Sequence, residues 1–124
     1  MNKVTVITGA GGVLCSAFAK VLAADGWQVA LLDLNYRANL WSKTYARETL
    51  SRYLSYIDLL FANNGSLYDV FGIDEENSAV DNNPRATLAA AKEVSHRFDI
   101  REVALTMRQS VSASHNKWSA LLYN

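Results

Sequence analysis

Between Lys3 and Asp33 the sequence runs strand, glycine cluster, helix, strand, and that order leaves little freedom of fold. Lys3–Thr8 (KVTVIT) is β-branched and apolar and abuts Gly9-Ala10-Gly11-Gly12, which reads as a buried strand entering a tight turn. From Val13 to Ala24, apolar residues at Leu14, Ala17, Phe18, Val21 and Leu22 keep the three-and-four spacing of a helix. Asp25-Gly26 ends it, with glycine free to take the left-handed conformation after the last turn. Gln28–Asp33 (QVALLD) is a second buried strand. Two strands joined through a helix lie parallel, and their crossover is right-handed.

The alternation continues. Asn35–Trp41 is irregular and aromatic; Ser42 is placed to cap a helix running to about Tyr56, with Thr44, Arg47 and Glu48 on its exposed face. Ile57–Ala62 (IDLLFA) reads as a third strand. Asn63-Asn64-Gly65-Ser66 has turn chemistry, followed by a short helical turn through Val70 or Phe71 and a polar loop over Gly72–Asn83. Pro84 suits the first turn of a further helix capped by Asn82 or Asn83, with Leu88, Ala91 and Val94 inward. Arg101–Met107 (REVALTM) is a fourth strand, and Lys117–Tyr123 (KWSALLY) a fifth that returns antiparallel after a short turn. The expectation is one α/β domain over residues 1–124, Rossmann-like in two or three layers, with a mostly parallel sheet of about five strands. Neighbouring strands in chain order would place several helices on one face. The other face then needs a cover, and a homodimer is one answer.

Composition narrows the partners. Twelve basic and twelve acidic residues balance to a formal net charge of zero, so charge offers no reason to expect nucleic acid or an anionic membrane. The single cysteine, Cys15, excludes an internal disulfide and a cysteine-based zinc cluster, and without a paired histidine it reads as packing. His96 and His115 lack metal-ligand spacing, Asp74-Glu75-Glu76 reads as a solvated loop, and Trp27, Trp41 and Trp118 read as core or sheet-covering groups. The apolar runs are too short to span a bilayer, and no charged-then-apolar leader pattern precedes Val4; a soluble cytoplasmic setting is the expectation.

The chemistry resides first in the glycine turn. Backbone N–H groups of Gly9, Gly11 and Gly12 at a helix start can face a phosphate, and Asp33 at the end of the second strand can accept hydrogen bonds from a ribose diol. The same glycines also permit a tight strand-to-helix turn with no ligand at all. The run KVTVITGAGGVLCSAFAKVLAADGWQVALLDLN resembles the start of a short-chain dehydrogenase/reductase, with Thr8-Gly9 opening the family's T-G-x-x-x-G-x-G but Val13 and Cys15 at its later glycines. GGVLC is similar to a sugar-acid or polyol oxidoreductase branch. The resemblance covers residues 1–34 and implies a nicotinamide cofactor, with Asp33 favouring NAD over NADP. Beyond it the family's Y-x-x-x-K is absent: no tyrosine here has a lysine four residues later, so the proton donor of hydride transfer is missing.

From Asp33 onward a second family shows. DLNYRANLWS, IDLLFANNGSLYDVFGI and REVALTMRQSVSASHNKWSALLY resemble 2-keto-3-deoxygluconate kinases of the ribokinase-like family. Asp33, Asn35 and Arg37 match that family's D-x-N-x-R, which implies that Arg37 approaches a sugar-acid carboxylate or a phosphate. Asn63 matches its N-x-x-E, but Ser66 stands where the glutamate would organise magnesium and phosphate. The family's later G-A-G-D, with its aspartate and anion hole, and its N-terminal sugar-binding portion are not found. The two resemblances share Asp33-Leu34-Asn35. The expectation is therefore an engineered chimera, dehydrogenase-like over 1–34 and kinase-like over 35–124. It would be a structural protein rather than an enzyme, with no required cofactor or partner; the alternative is a nucleotide-binding module in which NAD meets Gly9, Gly11, Gly12 and Asp33, leaving Arg37 and Asn63 as relics of a substrate site.

Overall fold

The computed structural model describes residues 4–7, 21, 24–26, 28–55, 57–73 and 83–124. β1 (Val4–Ile7) and β2 (Gln28–Asp33) pair in parallel, with Val4 opposite Gln28 and Ile7 opposite Leu32, as the crossover argument requires. The glycines at 9, 11 and 12 lie outside the described residues, as do Cys15 and the acidic run at 74–76.

Ser42 caps α1 (Lys43–Leu54): its hydroxyl accepts the Tyr45 N–H at 3.2 Å, which satisfies a donor that the first turn leaves orphaned. Ala46, Leu50 and Leu54, four residues apart, form its buried stripe. The helix stops at Leu54, with Ser55 as its C-cap, slightly short of the expected end. β3 (Ile57–Asn63) then pairs in parallel with β2.

The step after β3 differs from its sequence reading. Asn63-Asn64-Gly65-Ser66 is no turn: Asn63 ends the strand and directly caps α2 (Asn64–Phe71). Asn63 Oδ1 accepts from Ser66 N at 2.8 Å while Ser66 Oγ accepts from Asn63 N at 3.2 Å, a reciprocal capping box. Turn-forming residues and helix-capping residues are the same short polar types, so composition could not separate the two. Gly72, at φ 69°, closes the far end in the left-handed region.

α3 (Pro84–Phe98) begins on Asn83, whose Oδ1 accepts from Ala86 N at 3.2 Å, with Pro84 in the first turn where its missing N–H costs nothing. Thr87, Ala90, Ala91 and Val94 are buried, whereas Leu88, expected inward, is 37% exposed; Thr87 takes the inward position one residue earlier because it meets Asn64. β4 (Glu102–Ser112) runs five residues further than expected and β5 (His115–Tyr123) starts two earlier, because the hairpin ladder itself extends to Ser112 opposite His115.

The five strands stand in the order β1-β2-β3-β4-β5, parallel through β4 and antiparallel at the last pair. Right-handed crossovers between neighbours in chain order bring α1, α2 and α3 onto one face, where α1 packs on α2 and α2 on α3. Among the described elements the architecture therefore has two layers. Leu32, Leu34, Leu60, Ala62, Val103 and Leu105 line the helix side of the sheet and meet Leu50, Leu54, Leu67, Val70, Ala91 and Val94. Trp41 packs against this core, but Trp118, expected as core or cover, is 67% exposed on β5.

Leu34 is wholly buried just past the end of β2, at the letters shared by the two resemblances. Leu34→Ala is expected to lower unfolding free energy by about 2–5 kcal/mol. In urea this appears as a lower midpoint at unchanged slope.

Candidate functional site

Parallel α/β sheets bind ligands beyond the carboxyl ends of their strands, where loops and helix starts converge. Here that edge is formed by Ile7, Asp33, Asn63 and Thr106. Ile7 is opposite Leu32, the residue before Asp33, and Asn63 is opposite Thr106. The chain leaves Ile7 directly into Thr8-Gly9, so Asp33 stands at the edge where the glycine run begins.

Asp33 is partly exposed, and its Oδ1 accepts the Asn35 N–H at 3.2 Å. That bond closes a small Asx turn, with Asn35 at φ 23°, a backbone value asparagine tolerates better than most residues. No bond to the other carboxylate oxygen is seen among the described residues. The chain then turns again through the Leu40 N–H to Arg37 carbonyl bond at 3.0 Å, and Tyr36 donates its hydroxyl to Trp41 O at 3.2 Å. Arg37 is exposed on this loop, and its guanidinium meets no partner among the described residues. Asp33 and Arg37 therefore share one loop with chemical capacity to spare.

Asn63 is not placed for the same work. Its side-chain oxygen is committed to Ser66 N, and the Ser66 hydroxyl also donates to Asn63 O at 3.0 Å. The serine that replaces the kinase family's glutamate thus has a local duty: it completes a cap.

The sequence reading missed what surrounds this helix. Asn64, 7% exposed, donates Nδ2 to Thr87 Oγ1 at 3.2 Å, joining the first turns of α2 and α3. Its Oδ1 is buried without a hydrogen-bond partner; exchanging amide oxygen and nitrogen would let it accept the Thr87 hydroxyl instead. At the other end of α2, Arg47 donates Nε to Val70 O and Arg97 donates to Phe71 O at 3.1 Å. Two guanidinium groups so satisfy the carbonyls at the negative end of the helix dipole. These partners lie 23 and 26 residues apart in the chain, beyond the reach of local periodicity. Lys43 pairs with Asp69 across α1 and α2; the hydrogen bond to that carboxylate, more than its Coulomb attraction, holds the ammonium above the ordinary lysine value of 10.5. Among the described residues no group of three or more His, Cys, Asp or Glu could hold a metal ion, and no helix is long and apolar enough to cross a membrane.

Asn63→Ala is expected to cost about 1 kcal/mol of stability, the usual value of a lost N-cap, measured by thermal unfolding. Asn63→Ser, which can still cap, should recover most of it.

No protein-family profile matches the chain. A stretch of 37 residues is 62% identical to an uncharacterized oxidoreductase of Haemophilus influenzae, covering 30% of this chain and 13% of that protein. The structure superposes on a 2-dehydro-3-deoxygluconokinase of Thermotoga maritima with a TM-score of 0.75 and 33% identity, over 90% of this chain and 32% of the kinase. A PfkB family carbohydrate kinase of Listeria grayi gives a TM-score of 0.68 over 98% of this chain and 37% of that one; at 20% identity this likeness concerns the fold alone. The chain is thus similar to an oxidoreductase in one part and to sugar kinases in its architecture, as a chimera of the two would be, while spanning about a third of the kinases' length. These superpositions correct the expectation that the chain is no enzyme: the fold it shares is that of sugar kinases. Motifs missing by letter were a poor guide, since a fold is set by buried pattern and register, which persist when individual site residues change.

Proposed function

We propose that the chain is an engineered recombination of an oxidoreductase-like opening with a sugar-kinase-like body, and that its working site is a nucleotide-binding edge built from Gly9, Gly11, Gly12 and Asp33. The observation that carries this reading is the position of Asp33. Its carboxylate is partly exposed at the carboxyl end of β2, beside the strand that leads into the glycine run, and one oxygen is left for a ribose diol. NAD is the dinucleotide the site suits, because a carboxylate there repels a 2′-phosphate.

The test is an equilibrium titration with NADH, followed by tryptophan quenching and energy transfer. Saturable binding is expected, weakened by roughly tenfold to a hundredfold in Asp33→Ala, the worth of one hydrogen bond to a charged group. Equal affinity in the variant would remove the role given to Asp33. No saturation, from protein that melts cooperatively, would remove the site.

A second reading is favoured by the TM-score of 0.75 at 33% identity to the Thermotoga kinase. In it the body keeps the capacity to engage a sugar acid, and Arg37 meets the carboxylate with its two-pronged guanidinium. ATP-dependent phosphorylation of 2-dehydro-3-deoxygluconate, assayed by coupled ADP release, is then expected to fall by roughly tenfold or more in kcat/KM on Arg37→Ala. Absence of turnover in the intact protein would leave the nucleotide reading alone.

A further inference from the structure

We infer that the sheet face that no described helix covers is the contact surface for a second copy of this chain, packed face to face about a two-fold axis. Strand alternation puts Leu59 and Phe61 of β3, Glu102, Ala104, Thr106 and Arg108 of β4, and Trp118, Ala120 and Leu122 of β5 on this face. None of these is fully buried; Trp118 and Leu122 are 67% and 61% exposed, and no described helix packs on this side. An apolar sheet face of this kind marks an interaction surface.

Its charges indicate what fits. Glu102 and Arg108 lie on the same face of the same strand, six residues or about 20 Å apart. A two-fold axis lying across the strands sets one β4 over the other, antiparallel, and brings Glu102 of each copy to Arg108 of the other. A single polypeptide thereby supplies both halves of two ion pairs, which is the self-complementarity that an isologous interface demands. The same operation places small residues, Ala104 and Thr106, at the centre where two sheets must approach to about 10 Å. It also sets Trp118 beside Leu122 of the second copy.

Competing contacts are modest. Glu102 meets Arg101 only at 3.6 Å on the surface. Arg108 donates Nε to Asn116 Oδ1 at 3.0 Å and stacks over Trp118 at 5.7 Å, with its terminal nitrogens still unused among the described residues. The three strands that carry these residues, at about 4.8 Å spacing and about 20 Å long, project roughly 300 Å² of flat face to which side-chain relief adds, so the dimer is expected to be weaker than complexes that bury roughly 800 Å² per partner.

The experiment is sedimentation velocity on the whole chain across a concentration series, with thermal melts to verify folding. The wild type is expected to dimerise. Glu102→Arg and Arg108→Glu should each weaken the dimer by roughly tenfold or more, because each places two like-charge contacts in one interface. The double variant should regain most of the affinity. Trp118→Lys, at a position already exposed, should weaken it without altering the melt. A monomeric wild type overturns the inference. So does a dimer indifferent to both reversals, whose contact would lie elsewhere, for example at the free edge of β5. Isolation of the chain only with a different protein overturns it as well. None of these outcomes depends on whether NADH binds.

Discussion

The backbone hydrogen bond from Leu34 N to Phe61 O, at 2.9 Å, carries the pairing of β2 with β3 one residue past the end of β2. Leu34 sits within the three residues shared by the two family resemblances, so the parallel ladder continues straight through the join. Register follows from that. A strand's side chains alternate with a period of two, and one residue of slip would send Leu32 and Leu34 away from the helices and Asp33 into the core. Because the ladder holds, both leucines face the helix layer and the carboxylate stays at the edge. Packing, site and join rest on one unbroken set of backbone bonds.

The passage from β3 into α2 shows how closely this fold couples capping to chemistry. Asn63 and Ser66 satisfy the first turn reciprocally, Arg47 and Arg97 satisfy the last, and Asn64 joins the helix to α3 through Thr87. Little of this polar equipment remains for a ligand. By contrast, the loop after β2 holds Asp33 with an unused oxygen and Arg37 with no described partner. Among the described residues, uncommitted polar groups therefore concentrate after β2 rather than after β3, although the kinase resemblance drew attention to both places.

Much of the architecture was legible because it depends on period. The short apolar runs gave the strand list, the helices between them gave its parallel sense, and Ser42, Asn83 and Pro84 marked helix starts by chemistry that acts within four residues. What escaped was chemistry serving two purposes or acting at long range. Asn-Asn-Gly-Ser suits a turn and a helix start equally well, and only the pairing of Asn63 with Thr106 shows that the strand reaches the cap. Leu88 satisfied the helical period but lost the inward position to Thr87, whose partner lies 23 residues away. Of the site, Asp33 and Arg37 stand on the expected loop, while the bonds that commit Asn63 depend on a helix whose first residue the sequence placed too late. The absence of whole motifs said least, since the superposition on about a third of each sugar kinase holds without them.

The order β1-β2-β3-β4-β5 has a consequence for how the molecule comes into being. In a sheet whose order reverses, an early strand must wait for a distant one to be made. Here every strand docks onto the strand immediately before it, so the sheet can lengthen in the direction of synthesis, one crossover at a time. Each crossover still separates partners widely, as Leu59 and Glu102 show, so the parallel ladders are the slow steps of that growth. Each stage of growth presents one fresh edge, and that edge closes only when the next strand arrives. The β4–β5 hairpin, joined by the shortest connection of all, is the step that finishes fastest and ends the period during which a growing β4 edge could recruit a neighbouring chain.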